Sequence, residues 1–391
     1  MTRDMIFTSE SVTPGHPDKL CDQISDAAID AFLAVDPGAH AVVECAVATG
    51  VVFLAARFAA ETTVDLPSVA RRVIGEAGYL DGDFDARRCS ILTSFVDLPA
   101  DLRAPPDADD GEAAIERCVA AEQANVFGFA CRDTPELMPL PISMAHRLAR
   151  RLAAARADCP WLMPDGKTQV SVAYRDRRPV RVQTLSFTAA VAPGTPPAMV
   201  EERLHALAAD AFDGTGPAPD ADTAIYVNAG GPFETGGPAR HAGLTGRKNG
   251  IDTYGEFARQ SGAALSGKDP SRIDRIGAYA ARHAAKNVVA AGLADQCEVH
   301  LAYAIGRAPP LSLSVESFGT GRIEDAEIAA RIAEVLDFRP AAIARRFALR
   351  ARPGLAGAAG FYRPLAVYGH FGRTDLDLPW EATDIVDALR R

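Results

Sequence analysis

Apolar positions along the chain alternate in short runs and then give way to stripes at helical spacing, and this rhythm of strand, strand and helix recurs from end to end. Residues 17–34 place Leu20, Ile24, Ala27, Ala28, Ala31 and Phe32 on one helix face, and Asp36-Pro37-Gly38 ends the run. Two β-rich runs, 41–49 and 51–58, meet at Gly50 and predict a hairpin. Glu44 is the acid in the first of them, at a position that an alternating strand turns to solvent. A second helix is expected over 66–77 and a strand over 89–95. Strands over 169–174 and 180–189 flank a turn at 175–179, and a helix follows over 197–211. The C-terminal third predicts a long helix over 271–291, strands over 298–305 and 311–317, and helices over 328–336 and 340–348. The pattern implies an α+β fold built from similar strand–helix units, although no repeat is visible at the level of letters.

Composition narrows the class. A chain of 391 residues has room for two or three domains, and 48% hydrophobic residues with a mean hydropathy of −0.01 describe a soluble globular protein with ample core. The net charge of −10 argues against a nucleic-acid binder, which would show a basic face. Seven cysteines, odd in number and never spaced CxxC, fit reduced thiols better than a disulfide or zinc framework. With no apolar leader and no long apolar run, the expected location is the cytoplasm. One polar, acidic, proline-rich interruption, 97–111, reads as a lid or as a linker.

Basic residues cluster in two places. Gly243-Leu-Thr-Gly-Arg-Lys248 and Ser266-Gly-Lys-Asp-Pro-Ser-Arg-Ile-Asp274 hold Arg247, Lys248, Lys268 and Arg272 among small residues, with Asp274 available to a metal. Glycine admits close backbone approach and clustered cations suit a polyphosphate. No GxxxxGK[ST] is present, so this is not a Walker loop, and a basic glycine-rich surface loop is the alternative. At the other end, Thr8-Ser-Glu-Ser-Val-Thr-Pro-Gly-His-Pro-Asp-Lys19 opens a helix. His16 would protonate or hydrogen-bond a departing phosphate oxygen, Asp18 would hold Mg²⁺ and Lys19 lies close by. The alternative makes Pro17 a first-turn proline and His16 a solvated loop residue.

Together these stretches resemble the S-adenosylmethionine synthetase (methionine adenosyltransferase) family. The likeness continues through Pro160-Trp-Leu-Met-Pro-Asp-Gly-Lys-Thr-Gln-Val170, Ile251-Asp-Thr-Tyr-Gly255, Ala278-Tyr-Ala-Ala-Arg282, Lys286-Asn-Val-Val-Ala-Ala-Gly-Leu-Ala-Asp295, Tyr303-Ala-Ile-Gly306 and Tyr368-Gly-His-Phe-Gly-Arg373, nearly the whole chain. The resemblance implies three similar units about a pseudo-threefold axis, interleaved as 1–14 with 131–236, 15–104 with 237–276, and 105–130 with 277–391, and it makes 97–111 a lid. It implies that sulfur of methionine attacks C5′ of ATP, with the expelled triphosphate cleaved to pyrophosphate and phosphate. His16, Lys167, Arg247, Lys248, Lys268 and Arg272 would then face the triphosphate, Arg272 replacing a usual lysine. Asp18 and Asp274 would bind Mg²⁺ and Glu44 would bind K⁺. Asp165 would sit near the nucleoside and Phe233 would stack on adenine. A homodimer or homotetramer with sites at the subunit interface is implied, and Glu44, Arg57 and Glu122 would reach in from the neighbour.

The chain departs from the family pattern at the methionine end. Ala55-Ala56-Arg57 replaces Gly-Gly-Glu, Leu98 replaces a glutamine, and His241 replaces an aspartate. Ala121-Glu122-Gln123-Ala124 replaces Gly-Asp-Gln-Gly, adding methyl groups that would narrow a base pocket. Arg57 cannot pair with an ammonium as a glutamate does. Three readings follow: a synthetase that holds methionine differently, a relative that uses another nucleophile (anionic, or water) or another nucleotide, and a non-catalytic subunit that binds ATP or triphosphate.

Overall fold

The computed structural model describes residues 4–103, 111–212 and 216–391. Eleven strands among them form three sheets: β1 (Asp4–Val12), β2 (His40–Ala48), β3 (Val51–Ala59), β4 (Ser90–Asp97), β5 (Ala124–Cys131), β6 (Leu162–Arg175), β7 (Arg178–Val191), β8 (Ala224–Val227), β9 (Gly243–Leu244), β10 (Gln296–Tyr303) and β11 (Ser312–Glu316). The helices that matter below are α1 (Pro17–Val35), α2 (Leu66–Ala77), α3 (Glu112–Arg117), α4 (Leu140–Ala154), α5 (Pro197–Asp210), α6 (Asn249–Asp252) and α7 (Ile273–Ala290). The sheet orders are β1-β6-β7-β8, β11-β10-β5 and β4-β3-β2-β9, so the first and third draw strands from distant parts of the sequence. Helices back each sheet, giving the α+β architecture that the periodicity predicts.

Local chemistry accounts for the element ends. Pro17 occupies the first turn of α1, where its missing N–H is no loss, and His16 caps the helix by accepting the Asp18 N–H at 3.2 Å. Asp65 caps α2 through the Ser68 N–H, and Gly78 ends it at φ +106°. The hairpin expected at Gly50 is present, with β2 and β3 antiparallel from His40↔Ala59 to Ala48↔Val51. β4 pairs with β3 in parallel, and α2 makes the crossover that a parallel pair requires.

Strands β1 and β5 and helix α4 lie in stretches for which no element is expected above. The Thr8–Ser11 segment is polar, yet β1 pairs with β6 along its whole length, from Asp4↔Arg175 to Val12↔Lys167. Of the expected lid, β4 ends at Asp97 and Arg103 pairs with Asp36 at 2.8 Å and with Glu61. Residues 104–110 lie outside the described residues.

One core joins the second and third sheets with α1, α2 and α7, and a second lies under the β1 sheet against α4. The apolar face of α1 accounts for only half of its burial. Asp18, Asp22, Asp26 and Asp30 recur every fourth residue and are all buried. Asp18 accepts the Leu244 N–H, Asp22 the Gly246 N–H, Asp26 the Gly267 N–H, and Asp30 the N–H groups of Phe361, Tyr362 and Arg363. Arg275, fully buried in α7, closes both oxygens of Asp26 at 2.7 Å. Removing one partner from such a pair leaves a charge buried in low dielectric. Asp26→Ala is therefore expected to destabilise the chain by about 3–5 kcal/mol, seen as an earlier midpoint in urea. An unchanged midpoint would show that the Arg275 charge is relieved by water.

Candidate active site

The N-terminus of α1 collects the first group of predicted residues. His16 is 1% exposed, and because its Nδ1 accepts the Asp18 N–H, its Nε2 carries the proton. That Nε2–H finds no partner among the described residues. Burial, reinforced by Lys167, His241, Lys248 and Lys19, pushes the His16 pKa down to about 2. The neutral imidazole, with its proton on Nε2, is the favoured form, and it offers a hydrogen bond from that atom.

Around it, β6 supplies Asp165 and Lys167. Asp165 is buried, its Oδ2 accepting the Gly237 N–H and meeting His241 Nε2, both at 2.8 Å, while its Oδ1 has no partner among the described residues. The His16 and His241 rings meet edge-on, 5.1 Å between centroids. Lys167 makes no ion pair among the described residues. Phe233 is half-buried on a loop held by its carbonyl, which accepts the Val191 N–H at 2.9 Å at the end of β7. Arg247 and Lys248 follow β9. Arg247 is half-exposed with Nε 3.3 Å from Asp18 Oδ1, and Lys248 Nζ is 2.6 Å from Glu10.

Glycine permits this convergence at one point in particular. A Cβ on Gly243 would lie 2.2 Å from the backbone of Pro17, so only glycine lets β9 pass so close to the start of α1. Lys19 does not join the group. It is fully buried between Asp22, at 2.9 Å, and Asp252. Burial opposes its charge, but the two carboxylates outweigh that and raise its pKa above the usual lysine range.

The second group gathers at the start of α7. Lys268 Nζ is 2.5 Å from Asp274 Oδ2 in the first helical turn, and the Arg272 guanidinium pairs with Glu122 ahead of β5. Gln123 is exposed beside it. Burial, with Arg57 as a like charge nearby, lowers the Arg272 pKa against the pull of Asp274 and Glu44. Glu44 and Arg57 both stand exposed on the outward face of the β4-β3-β2-β9 sheet. The Ser266–Asp274 loop is fastened by Gly267, whose carbonyl accepts the Val43 N–H at 2.8 Å. Gly267 has φ +79°, and a Cβ there would lie 2.1 Å from the Val43 oxygen.

The two groups attach to different points along β2. Lys268 bridges to Val42 and β9 pairs with Ala46 and Val47, on the same edge of β2. Val42 and Ala46 are four residues apart, about 14 Å at ~3.4 Å per residue. Asp18 and Asp274, the two expected magnesium ligands, therefore belong with different points along this edge.

The comparisons with known proteins decide the family. Models of the N-terminal, central and C-terminal domains of S-adenosylmethionine synthetase match residues 4–98, 117–233 and 235–382. The S-adenosylmethionine synthase of Acaryochloris marina is 45% identical over 409 aligned residues, covering 100% of this chain and 98% of the relative. That of a Synechococcus species is 47% identical over 403, covering 98% and 97%. The chain belongs to the S-adenosylmethionine synthetase family.

Within this synthetase-family chain, Glu10 and Asp22 are site-supporting residues that the sequence reading passes over. Glu10 holds Lys248, and Asp22 fixes both Lys19 and the Gly246 N–H. The available signal is the four-residue spacing of Asp18, Asp22, Asp26 and Asp30, which a search for apolar stripes ignores. Among the described residues no helix is long and apolar enough to cross a membrane.

The state of His16 is directly measurable. In NMR of histidine-labelled protein, with His16→Gln for assignment, its ring resonances are expected to stay flat from about pH 5 to about pH 8, in the Nε2–H tautomer. A midpoint near the ordinary histidine value of about 6.5 would overturn the neutral-donor assignment.

Proposed function

We propose that this chain transfers the adenosyl group of ATP to methionine. The thioether sulfur attacks C5′, the C5′–O bond breaks, and triphosphate departs with the electron pair. Hydrolysis of the triphosphate then gives pyrophosphate and phosphate. The observation that carries this reading is the buried, unpartnered Nε2–H of His16, set at the positive end of α1 among Lys167, Arg247 and Lys248. A neutral sulfur needs no base, so the catalytic demand falls on the leaving group, whose growing charge these fixed donors meet. Asp165, with one oxygen unpartnered, is placed to hold the nucleoside, and Phe233 offers the face for the base.

The carboxylates suit the metals this reaction uses. Asp18 Oδ2 and Asp274 Oδ1 take no hydrogen bond among the described residues, which leaves each a hard oxygen for Mg²⁺, while Glu44 offers an exposed carboxylate to K⁺. Bound magnesium supplies charge neutralisation along the triphosphate.

The working unit in this proposal is a dimer. Val51, Phe53, Leu92, Val96 and Leu244 are exposed on the sheet face that also carries Glu44 and Arg57. A twofold axis through that face turns the Lys268 end of β2 in one copy toward the Arg247 end of the other, completing two sites. Phe53→Asp is expected to give monomers in sedimentation and to abolish turnover.

A second reading concerns the acceptor. Arg57 acts on Arg272 as a like charge against the pull of Asp274 and Glu44, and residue 57 offers no carboxylate to methionine's ammonium. The alternative acceptor is an anionic nucleophile facing Arg57, or water.

The deciding assay follows ATP, Mg²⁺ and K⁺, with and without methionine, by mass spectrometry and phosphorus NMR. Methionine-dependent S-adenosylmethionine with pyrophosphate and phosphate is expected. Triphosphate cleavage without that product would move the assignment to another acceptor, and no turnover would leave a binding subunit. Arg247→Ala and Lys268→Ala should each lose activity by roughly 10²–10³-fold. Unfolded and refolded together, they should regain about a quarter of wild-type activity, because half the random dimers hold one intact site. No recovery would place both residues in the same site of one chain.

A further inference from the structure

One cluster at the α1 terminus has a chemistry beyond nucleotide binding. Single ligand atoms of His16, Asp165 and His241 lie within 4.8 Å of one another. Two of the side chains present buried atoms without partners, His16 Nε2 and Asp165 Oδ1. The third, His241, is one-third exposed, so the cluster is open on one side. We propose that His16, His241 and Asp165 form a site for a borderline divalent transition ion of the zinc class, with an open position for water or an anion.

Two imidazoles and a carboxylate are the donor set that zinc, cobalt(II) and nickel(II) favour and that magnesium does not. Metal–ligand distances of about 2.0–2.2 Å would draw the three atoms to roughly 3.3 Å apart. His241 Nε2 and Asp165 Oδ2 are joined by a hydrogen bond at 2.8 Å that the ion would replace, while His16 Nε2 and Asp165 Oδ1 are the free donors beside it. The Gly237 N–H on Asp165 Oδ2 fixes the carboxylate plane. A metal on His16 Nε2 moves the ring proton to Nδ1, which gives up the Asp18 N–H it now accepts and must turn toward Asp18 Oδ2, 3.9 Å away. That arrangement of carboxylate, histidine and metal is a recurrent outer-shell device.

The cations that oppose a proton on His16, Lys167 foremost, also oppose a dication, so binding rests on the three ligand bonds and on an anion at the open position. Lys19, Arg247 and Lys248 each have a carboxylate partner, which tempers the repulsion, and Lys167 has none among the described residues. His16 and Asp165 are also the residues proposed above for the nucleotide. Occupancy by the ion therefore excludes productive ATP binding, and zinc inhibits by taking nucleotide ligands. The metal site itself does not depend on which acceptor the protein uses.

The test is a cobalt(II) titration of full-length, chelator-stripped protein, followed by its visible absorption, with zinc binding by equilibrium dialysis. Expected is one high-affinity ion per chain, with d–d bands and no thiolate-to-cobalt charge transfer. His241→Ala should weaken binding at least about tenfold. The exposed-residue control His205→Ala should change nothing. Melting curves without metal check that His241→Ala folds, and His241→Gln provides a second variant if it does not. Zinc should inhibit wild-type ATP turnover at lower concentration than it inhibits His241→Ala. Binding that survives both His241 variants unchanged, or a thiolate charge-transfer band from the cysteines, would overturn the assignment.

Discussion

The row of four carboxylates on α1 is the constraint on which the rest of the structure depends. Asp18, Asp22, Asp26 and Asp30 point to one side because four residues make slightly more than a helical turn, and that side is covered by protein rather than water. A carboxylate stripped of water is costly until several donors replace the lost hydration. Each finds them in chain more than 220 residues away: Leu244, Gly246, Gly267 and the Phe361–Arg363 turn. The helix thereby forces three loops into single conformations. Two of those loops carry the basic residues of the site, so the arrangement that satisfies buried charge also positions Arg247, Lys248 and Lys268.

Function grades along the same helix. Asp30 and Asp26 are structural, one closed by three backbone N–H groups and the other by Arg275. Asp22 divides its oxygens between Lys19 and a glycine N–H. Asp18, at the end, keeps one oxygen without a hydrogen bond and shares the other with a half-exposed arginine. The outermost carboxylate alone has capacity to spare for a metal. The cations behave in parallel: Lys19, nearest the helix, is locked between two acids, whereas Arg247 and Lys248 have single partners they can exchange for phosphate. Charges held in pairs stay oriented, which spares the reorganisation a transition state would otherwise require.

How much was legible in the sequence follows from what periodicity can see. The apolar face of α1, the β2–β3 hairpin and α7 were all readable because their cores lie within their own segments. The aspartate row was not, since a polar stripe at helical spacing ordinarily faces water and its partners lie far along the chain. Helix α4 and strand β1 were passed over, the latter because Thr8–Ser11 reads as a motif rather than a strand. His16, Asp18, Asp274 and most of the cations were named from two motifs and Lys167, Asp165, Phe233 and Glu44 through resemblance, yet their division along β2 was hidden. Nothing in the letters shows that Val42 meets Lys268 while Ala46 meets Leu244 on the same strand edge. Lys19, which the sequence places close to His16, is turned inward by the helix onto Asp22 and Asp252.

The neutral state of His16 bears on what kind of catalyst such a site can be. A histidine beside a triphosphate is easily taken for a general acid, but burial and the surrounding lysines favour the neutral, hydrogen-bond-donating form of His16. Its value is the opposite one. A charged imidazolium would bind the triphosphate of ATP and the departing triphosphate alike, and interactions equal in both states do not accelerate the reaction. A neutral N–H placed at a bridging oxygen would strengthen only as charge accumulates there. The surrounding lysines and the burial that suppress protonation are therefore consistent with selectivity for the breaking bond. The same neutral, partnerless nitrogen is also a metal ligand in waiting, and for that reason the proposed catalytic donor and the proposed zinc-class site compete for one atom.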